Sequence, residues 1–110
     1  MSDKTTQVAI LGGGPAGYAA AFKCADLGLE TTLIDLAPNP GGVCLYSGCS
    51  PSKVLLNVSK LINEAGDAGN WGISFNKPEI DLDKLRAWKN SVIEQLTGGL
   101  GMLRISRGIV

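Results

Sequence analysis

The residues best suited to chemistry are two cysteines, Cys44 and Cys49, in the segment GGVCLYSGCSPSK that runs from Gly41 to Lys53. Residues five apart on a regular helix lie about 7.5 Å apart along its axis at ~1.5 Å per residue. A disulfide generally needs Cα atoms within about 7 Å, so a Cys44–Cys49 bridge cannot sit on an ideal helix. Gly48 and Pro51 are the local means of distorting one, Pro51 because it removes a helical hydrogen bond and crowds the preceding turn. A pair held irregularly near a helix start suits a reactive disulfide better than a structural staple. Spacing alone leaves three other readings open: two buried apolar thiols, two ligands of a zinc site, or an inert bridge. The only other sulfur available to a zinc site as a thiolate is Cys24, which belongs to a different predicted helix. Cys24 is expected to pack in the core, on the sheet-facing side of that helix with Ala20 and Leu27.

The second chemical signal is Gly12-Gly-Gly14-Pro-Ala-Gly17, a match to G-x-G-x-x-G. Such a match is weak in isolation and gains force when it follows a strand and opens a helix. Here Gly12 would allow the tight turn, Gly14 the approach of a pyrophosphate to the backbone, and Gly17 close packing of helix on strand. Free N–H groups and the positive end of the helix dipole would face the phosphates. Asp35 stands where the acidic residue of this arrangement meets a ribose, whose hydroxyls it can accept from; otherwise it is a solvated carboxylate at a strand end. The motif does not distinguish FAD from NAD.

The elements needed to position these residues are legible. Gln7 to Leu11 reads as a strand, Pro15 to Leu27 as a helix, and Thr31 to Ile34 as a second strand. Pro15 suits a first helical turn, and Gly28 suits a helix C-terminus. Strand, helix and strand within about thirty residues make a βαβ unit with a parallel sheet. Pro38, Pro40, Gly41 and Gly42 break the pattern. Val54, Val58, Leu61 and Ala65 then recur at helical spacing, so a helix is expected to about Ala65. Gly66 to Pro78 reads as a loop with Trp71 and Phe75 as packing anchors. Leu85, Trp88, Val92 and Leu96 mark a further helix from near Asp83, its far end weakened by Gly98, Gly99 and Gly101. Ile109 and Val110 look like the start of another strand.

Composition narrows the function classes. Acidic and basic residues balance at ten each, so no long-range field favours nucleic acid or a membrane surface. No apolar run approaches the ~20 residues needed to span a bilayer. A signal peptide is disfavoured by Asp3 and by the Gly12–Pro15 interruption of the apolar run. Three cysteines do not suggest a secreted disulfide scaffold, and the expected compartment is the reducing cytoplasm. With no histidine, the chain contains no Ser-His-Asp triad, Cys-His pair or His-ligated metal, and no metal site is expected.

GGVCLYSGCSPSK closely resembles the active-site motif of class I pyridine nucleotide–disulfide oxidoreductases. Its central CL and its PSK ending resemble the dihydrolipoyl dehydrogenases in particular, with mercuric reductases the nearest rival. The resemblance covers essentially the whole chain, with nucleotide motif, acidic strand end, cysteine helix, loop and second helix in family order. It implies an α/β, Rossmann-like FAD-binding domain, of which residues 1–110 are the N-terminal portion. The NAD-binding, central and C-terminal interface domains would then lie outside this chain, which alone would be inactive.

By position, the resemblance implies that Gly12, Gly14, Pro15, Ala16 and Gly17 receive the FAD pyrophosphate and that Asp35 holds the adenosine ribose. Gly42, Val43 and Cys44 would lie along the flavin. Cys44 and Cys49 would form a redox disulfide, with Cys44 facing substrate and Cys49 facing the flavin. Lys53 would tune the flavin's charge, unless it is simply a solvated helix lysine. The implied partners are a dihydrolipoyl group on a carrier protein, a 2-oxo acid dehydrogenase-type complex, NAD⁺ and a second copy in a homodimer. Three departures stand out: Asp35 where the family usually has Glu, Val43 where Thr is common, and Ser50 for a usual apolar residue. The family's proton-handling His-Glu pair, normally from the partner subunit, has no counterpart here. Two other classes remain: a non-catalytic nucleotide-binding module, and a small redox or zinc protein using its cysteines alone.

Overall fold

A computed structural model of the chain describes residues 3–110. It opens with the expected βαβ unit: β1 (Val8–Leu11), α1 (Pro15–Asp26) and β2 (Thr31–Ile34). The strands pair in parallel, from Val8 opposite Thr31 to Leu11 opposite Ile34. Both are four residues long and bounded by turn formers, as their β-branched and apolar runs dictate. Helix α1 ends in a Schellman motif: Gly28 takes a left-handed φ of 82°, its N–H reaches Ala25 O, and Leu29 N–H reaches Cys24 O.

The cysteine segment departs from one distorted helix. It forms two, α2 (Gly42–Tyr46) and α3 (Cys49–Asp67), interrupted at Ser47 and Gly48. Pro51 is not the breaker. It lies in the first turn of α3, where a missing N–H breaks no helical hydrogen bond. Helix α3 passes Ala65 to Asp67 and tightens into a 3-10 turn over Ala68–Trp71, and the loop proper follows. Trp71 is 75% exposed and Phe75 66%, so neither anchors the loop.

Helix α4 (Leu82–Ser106) starts slightly earlier than the apolar spacing suggests, because the Asp81 side chain caps it, accepting from Asp83 N–H (3.1 Å) and Lys84 N–H (3.0 Å). It also runs straight through Gly98, Gly99 and Gly101. The physical reason is close approach. The buried positions of α4 are Ile93, Thr97 and Gly101, four apart, and the two smaller ones let it lie against the loop at Asn39 and Gly41. Trp88 and Leu96, expected on the buried face, point to solvent. The same rotation applies to α1: Ala21 is fully buried, Cys24 is half-buried, and Ala20 and Leu27 are exposed.

The chain travels out along α3 and returns along α4. A second Schellman motif at Gly108 ends α4. Arg107 then ties it to α1, with Nε 2.9 Å from Asp26 Oδ1 and the guanidinium 5.0 Å over the Phe22 ring. Ile109 is buried. Val110 N–H donates to Thr31 O and Val110 O accepts from Leu33 N–H, the parallel pattern expected of a next strand beside β2. The radius of gyration is 20.0 Å, against about 13 Å for a compact domain of this length. The excess comes from the outward arm of α3 and α4.

Candidate active site

The glycine turn, the end of β2 and the start of α2 form one backbone-to-backbone cluster. Gly12, at φ 101°, leaves β1 with its N–H on Ile34 O at 2.8 Å. A Cβ at Gly17 would overlap the Gly12 carbonyl and lie 3.6 Å from Ile10 Cγ2. Gly17 is therefore required by the turn itself as well as by helix–strand packing. Gly42, at φ 61°, lies against Gly14, whose Cα would be 2.5 Å from a Cβ placed there. Gly41 N–H donates to Gly13 O at 2.8 Å. Gly41 is itself buried, and a Cβ on it would meet Leu45, Tyr46 and Thr97, each at 3.1 Å. Tyr46 OH donates to Asn39 O at 3.1 Å, fastening α2 to the loop before it.

Asp35 is exposed, yet both its carboxylate oxygens accept from backbone. Ala37 N–H donates to Oδ1 at 2.8 Å and Gly13 N–H to Oδ2. These two amides, Ala37 foremost, hold its carboxyl below the usual aspartate range, because each favours the charged form. Helix α1 offers donors of its own. Pro15 has no N–H, and among the described residues no acceptor reaches the N–H groups of Gly14, Ala16 or Gly17.

Cys44 on α2 and Cys49 at the start of α3 are joined by a disulfide with Cα atoms 4.6 Å apart. The Ser47–Gly48 interruption makes that separation possible, as the helical geometry requires. Gly48 is hemmed in, since a Cβ there would lie 3.0 Å from Val43 O and 3.6 Å from Cys44 Cα. The bridge takes both sulfurs from any zinc site, and Cys24 stays a free thiol. Cys44 is half-buried; Val43, Cys49 and Lys53 are exposed. Gly12, Gly14 and Gly17 thus share one cluster with Asp35 and Gly42, and Cys44 follows two residues later. Pro15 and Ala16 stand on the exposed rim of α1, and Lys53 is one turn along α3 from Cys49. Gly13, Gly41, Asn39, Tyr46 and Thr97 also build the site. Of these, Gly13, Gly41 and Tyr46 lie within the two motifs, whereas Asn39 and Thr97 carried no signal.

The pattern of the pyridine nucleotide-disulphide oxidoreductase family matches residues 6–106. The chain is 53% identical over 104 residues to the dihydrolipoyl dehydrogenase of Buchnera aphidicola, covering 94% of this chain and 22% of the relative. It is 56% identical over 102 residues to that of Vibrio cholerae, covering 92% and 22%. In structure it resembles LpdA of Mycobacterium tuberculosis with a TM-score of 0.79 at 30% identity, over 96% of this chain and 22% of that one. The chain therefore spans 22% of the length of these relatives. With its βαβ unit, glycine turn and Cys44–Cys49 disulfide in the matched region, the chain belongs to the pyridine nucleotide-disulphide oxidoreductase family.

Proposed function

We propose that this chain forms the N-terminal part of the FAD-binding domain of a dihydrolipoyl dehydrogenase, and that the full-length enzyme carries electrons from dihydrolipoamide to NAD⁺. The observation that carries the reading is the disulfide between Cys44 and Cys49, which begins two residues after Gly42, the glycine packed against the Gly12–Gly17 turn whose free amides suit a pyrophosphate. A cradle that leaves no room for a Cβ at Gly17 or Gly42, with donors at Gly14, Ala16 and Gly17, fits that group. Gly12 shapes the turn and Asp35 accepts from the adenosine ribose. Pro15 and Ala16 border the phosphates. Gly42, Val43, Cys44 and Lys53 line the path toward the flavin. When bound, FAD supplies the two-electron link between the dithiol and the nicotinamide.

The sulfurs divide the work. A thiolate of the dihydrolipoyl group attacks Cys44 Sγ, the Cys44–Cys49 bond breaks, and Cys49 leaves as a thiolate. The second dihydrolipoyl thiol then displaces Cys44 from the mixed disulfide. Substrate leaves as its cyclic disulfide, with its electron pair now held by the Cys44–Cys49 dithiol. Protons released in these steps need a base outside this chain, which has no histidine. The NAD site, the central and interface domains, the second copy of a homodimer and the carrier protein of a 2-oxo acid dehydrogenase-type complex complete the picture. The expected setting is the cytoplasm. Among the described residues no helix is long and apolar enough to cross a membrane.

The test is a pair of single substitutions in the full-length enzyme. Cys44→Ser and Cys49→Ser should each reduce dihydrolipoamide oxidation to background. Cys44→Ser keeps a thiolate at Cys49 beside oxidised flavin and should show a long-wavelength absorption band. Cys49→Ser should have the spectrum of plain oxidised flavin. A band confined to Cys49→Ser reverses the two roles, and turnover in either variant removes the disulfide from the reaction.

A further inference from the structure

Among the described residues, the backbone N–H groups of Gly12, Gly13 and Tyr18 in the glycine turn have partners, and those of Gly14, Ala16 and Gly17 do not. Gly12 N–H is taken by Ile34 O, and Tyr18 N–H begins the helical series on Gly14 O. Gly13 N–H is taken by the Asp35 carboxylate, so it is not available to a ligand. The donors left for an anion are Gly14, Ala16 and Gly17. At its other end Gly13 is held again, its C=O accepting from Gly41 N–H. In a planar trans peptide the C=O of Gly13 and the N–H of Gly14 point in opposite directions. Fixing that carbonyl therefore also fixes the direction of the Gly14 donor.

We propose that Asp35 is a positioning residue for the pyrophosphate: it holds the 12–13 peptide through Gly13 N–H while Gly41 N–H holds the 13–14 peptide through Gly13 O, and the two together aim Gly14 N–H with those of Ala16 and Gly17 at one anion. The role rests on reading the turn as a dinucleotide site, and it is separate from the ribose contact. The Asp35 side chain stops at the turn's own backbone, where a charge-assisted hydrogen bond is strong.

The sign of one measurement separates this role from the alternatives. A carboxylate repels a phosphate group, so removing its charge should by Coulomb's law tighten anion binding. Loss of positioning does the reverse. Flavin-free full-length protein is titrated with FAD by fluorescence in competition with adenosine, ADP and inorganic pyrophosphate. Asp35→Ala should weaken inorganic pyrophosphate, which has no ribose, by about tenfold, as expected for one lost charged hydrogen bond. Asp35→Asn keeps one acceptor oxygen and should recover part of the loss. Without ligand, hydrogen–deuterium exchange over residues 10–17 should accelerate in Asp35→Ala, while α4 exchanges as before and reports an intact fold. Unchanged or tighter pyrophosphate binding in Asp35→Ala overturns the proposal, as does unchanged exchange in the turn. A loss confined to adenosine leaves Asp35 with the ribose alone and overturns it too. If the unsubstituted protein binds neither ADP nor pyrophosphate, the dinucleotide reading fails instead.

Discussion

The glycines of the turn and the glycines of the arm have the same side chain and opposite duties. Around the turn, Gly17 and Gly42 are where they are because another backbone occupies the space a Cβ would need. In the arm, Gly66 on α3 and Gly98 and Gly99 on α4 have nothing within 4 Å of that position. There a glycine only adds backbone entropy to the unfolded chain and weakens a helix. The contrast teaches that glycine content, high as it is here, divides into contact-enforced and merely tolerated positions. The first kind marks the site; the second leaves the arm open to stabilisation.

Adding one methyl group at a time tests the division. Gly17→Ala should cost about 4 kcal/mol or more, because its Cβ meets backbone that cannot move without opening the turn. A urea midpoint and the loss of bound FAD would register it, and a cost near zero would erase the distinction. Gly42→Ala should cost roughly 2–3 kcal/mol, combining a left-handed φ with the contact on Gly14; the same denaturation measurement applies. Gly99→Ala should go the other way and stabilise by about 1 kcal/mol, seen as a raised thermal midpoint. Gly101→Ala sharpens the boundary. Only two residues further along α4, its Cβ would overlap the Asn39 side-chain amide, so it should lower the midpoint.

The smallest effect is one of pH. The Asp35 carboxyl is held low by the Ala37 and Gly13 amides. Its contribution is present above the unfolded value of about 3.9 and disappears as pH falls through the lower folded-state value. Urea midpoints between pH 5 and pH 2 should therefore fall less steeply in Asp35→Asn than in the unsubstituted protein. Parallel slopes would mean that the turn gains nothing from the ionised carboxylate.

The legible parts of this molecule are the local ones. Thr31–Ile34 and the Pro15 start of α1 follow from strand residues, a helix-opening proline and the glycines between. The break between Cys44 and Cys49 follows from helix dimensions, although its location at Ser47–Gly48 rather than Pro51 does not. Contacts between segments far apart in the chain left no trace in the pattern. Gly13 and Asp35 are 22 residues apart, and nothing in either sequence neighbourhood announces their hydrogen bond. Helix propensity alone ends α4 near Gly98, but packing at Thr97 and Gly101 carries it to Ser106. Trp88 and Leu96 fit an apolar stripe on paper, whereas the face that packs is set by the smallest residues, which such a stripe passes over.

The pairing of Val110 with β2 also has a consequence in time. A ribosome completes Ile34 and then adds 76 more residues, 110 minus 34, before Val110 exists. At ~5–20 residues per second that interval is about 4–15 s. Through it one edge of β2 waits with unpaired N–H and C=O groups, although β1 can already cover the other. Open strand edges invite pairing with the wrong chain. Synthesis rate thus bears on this protein's yield: a pause within α3 or α4 prolongs the exposure, and Thr31 and Leu33 are the residues left waiting.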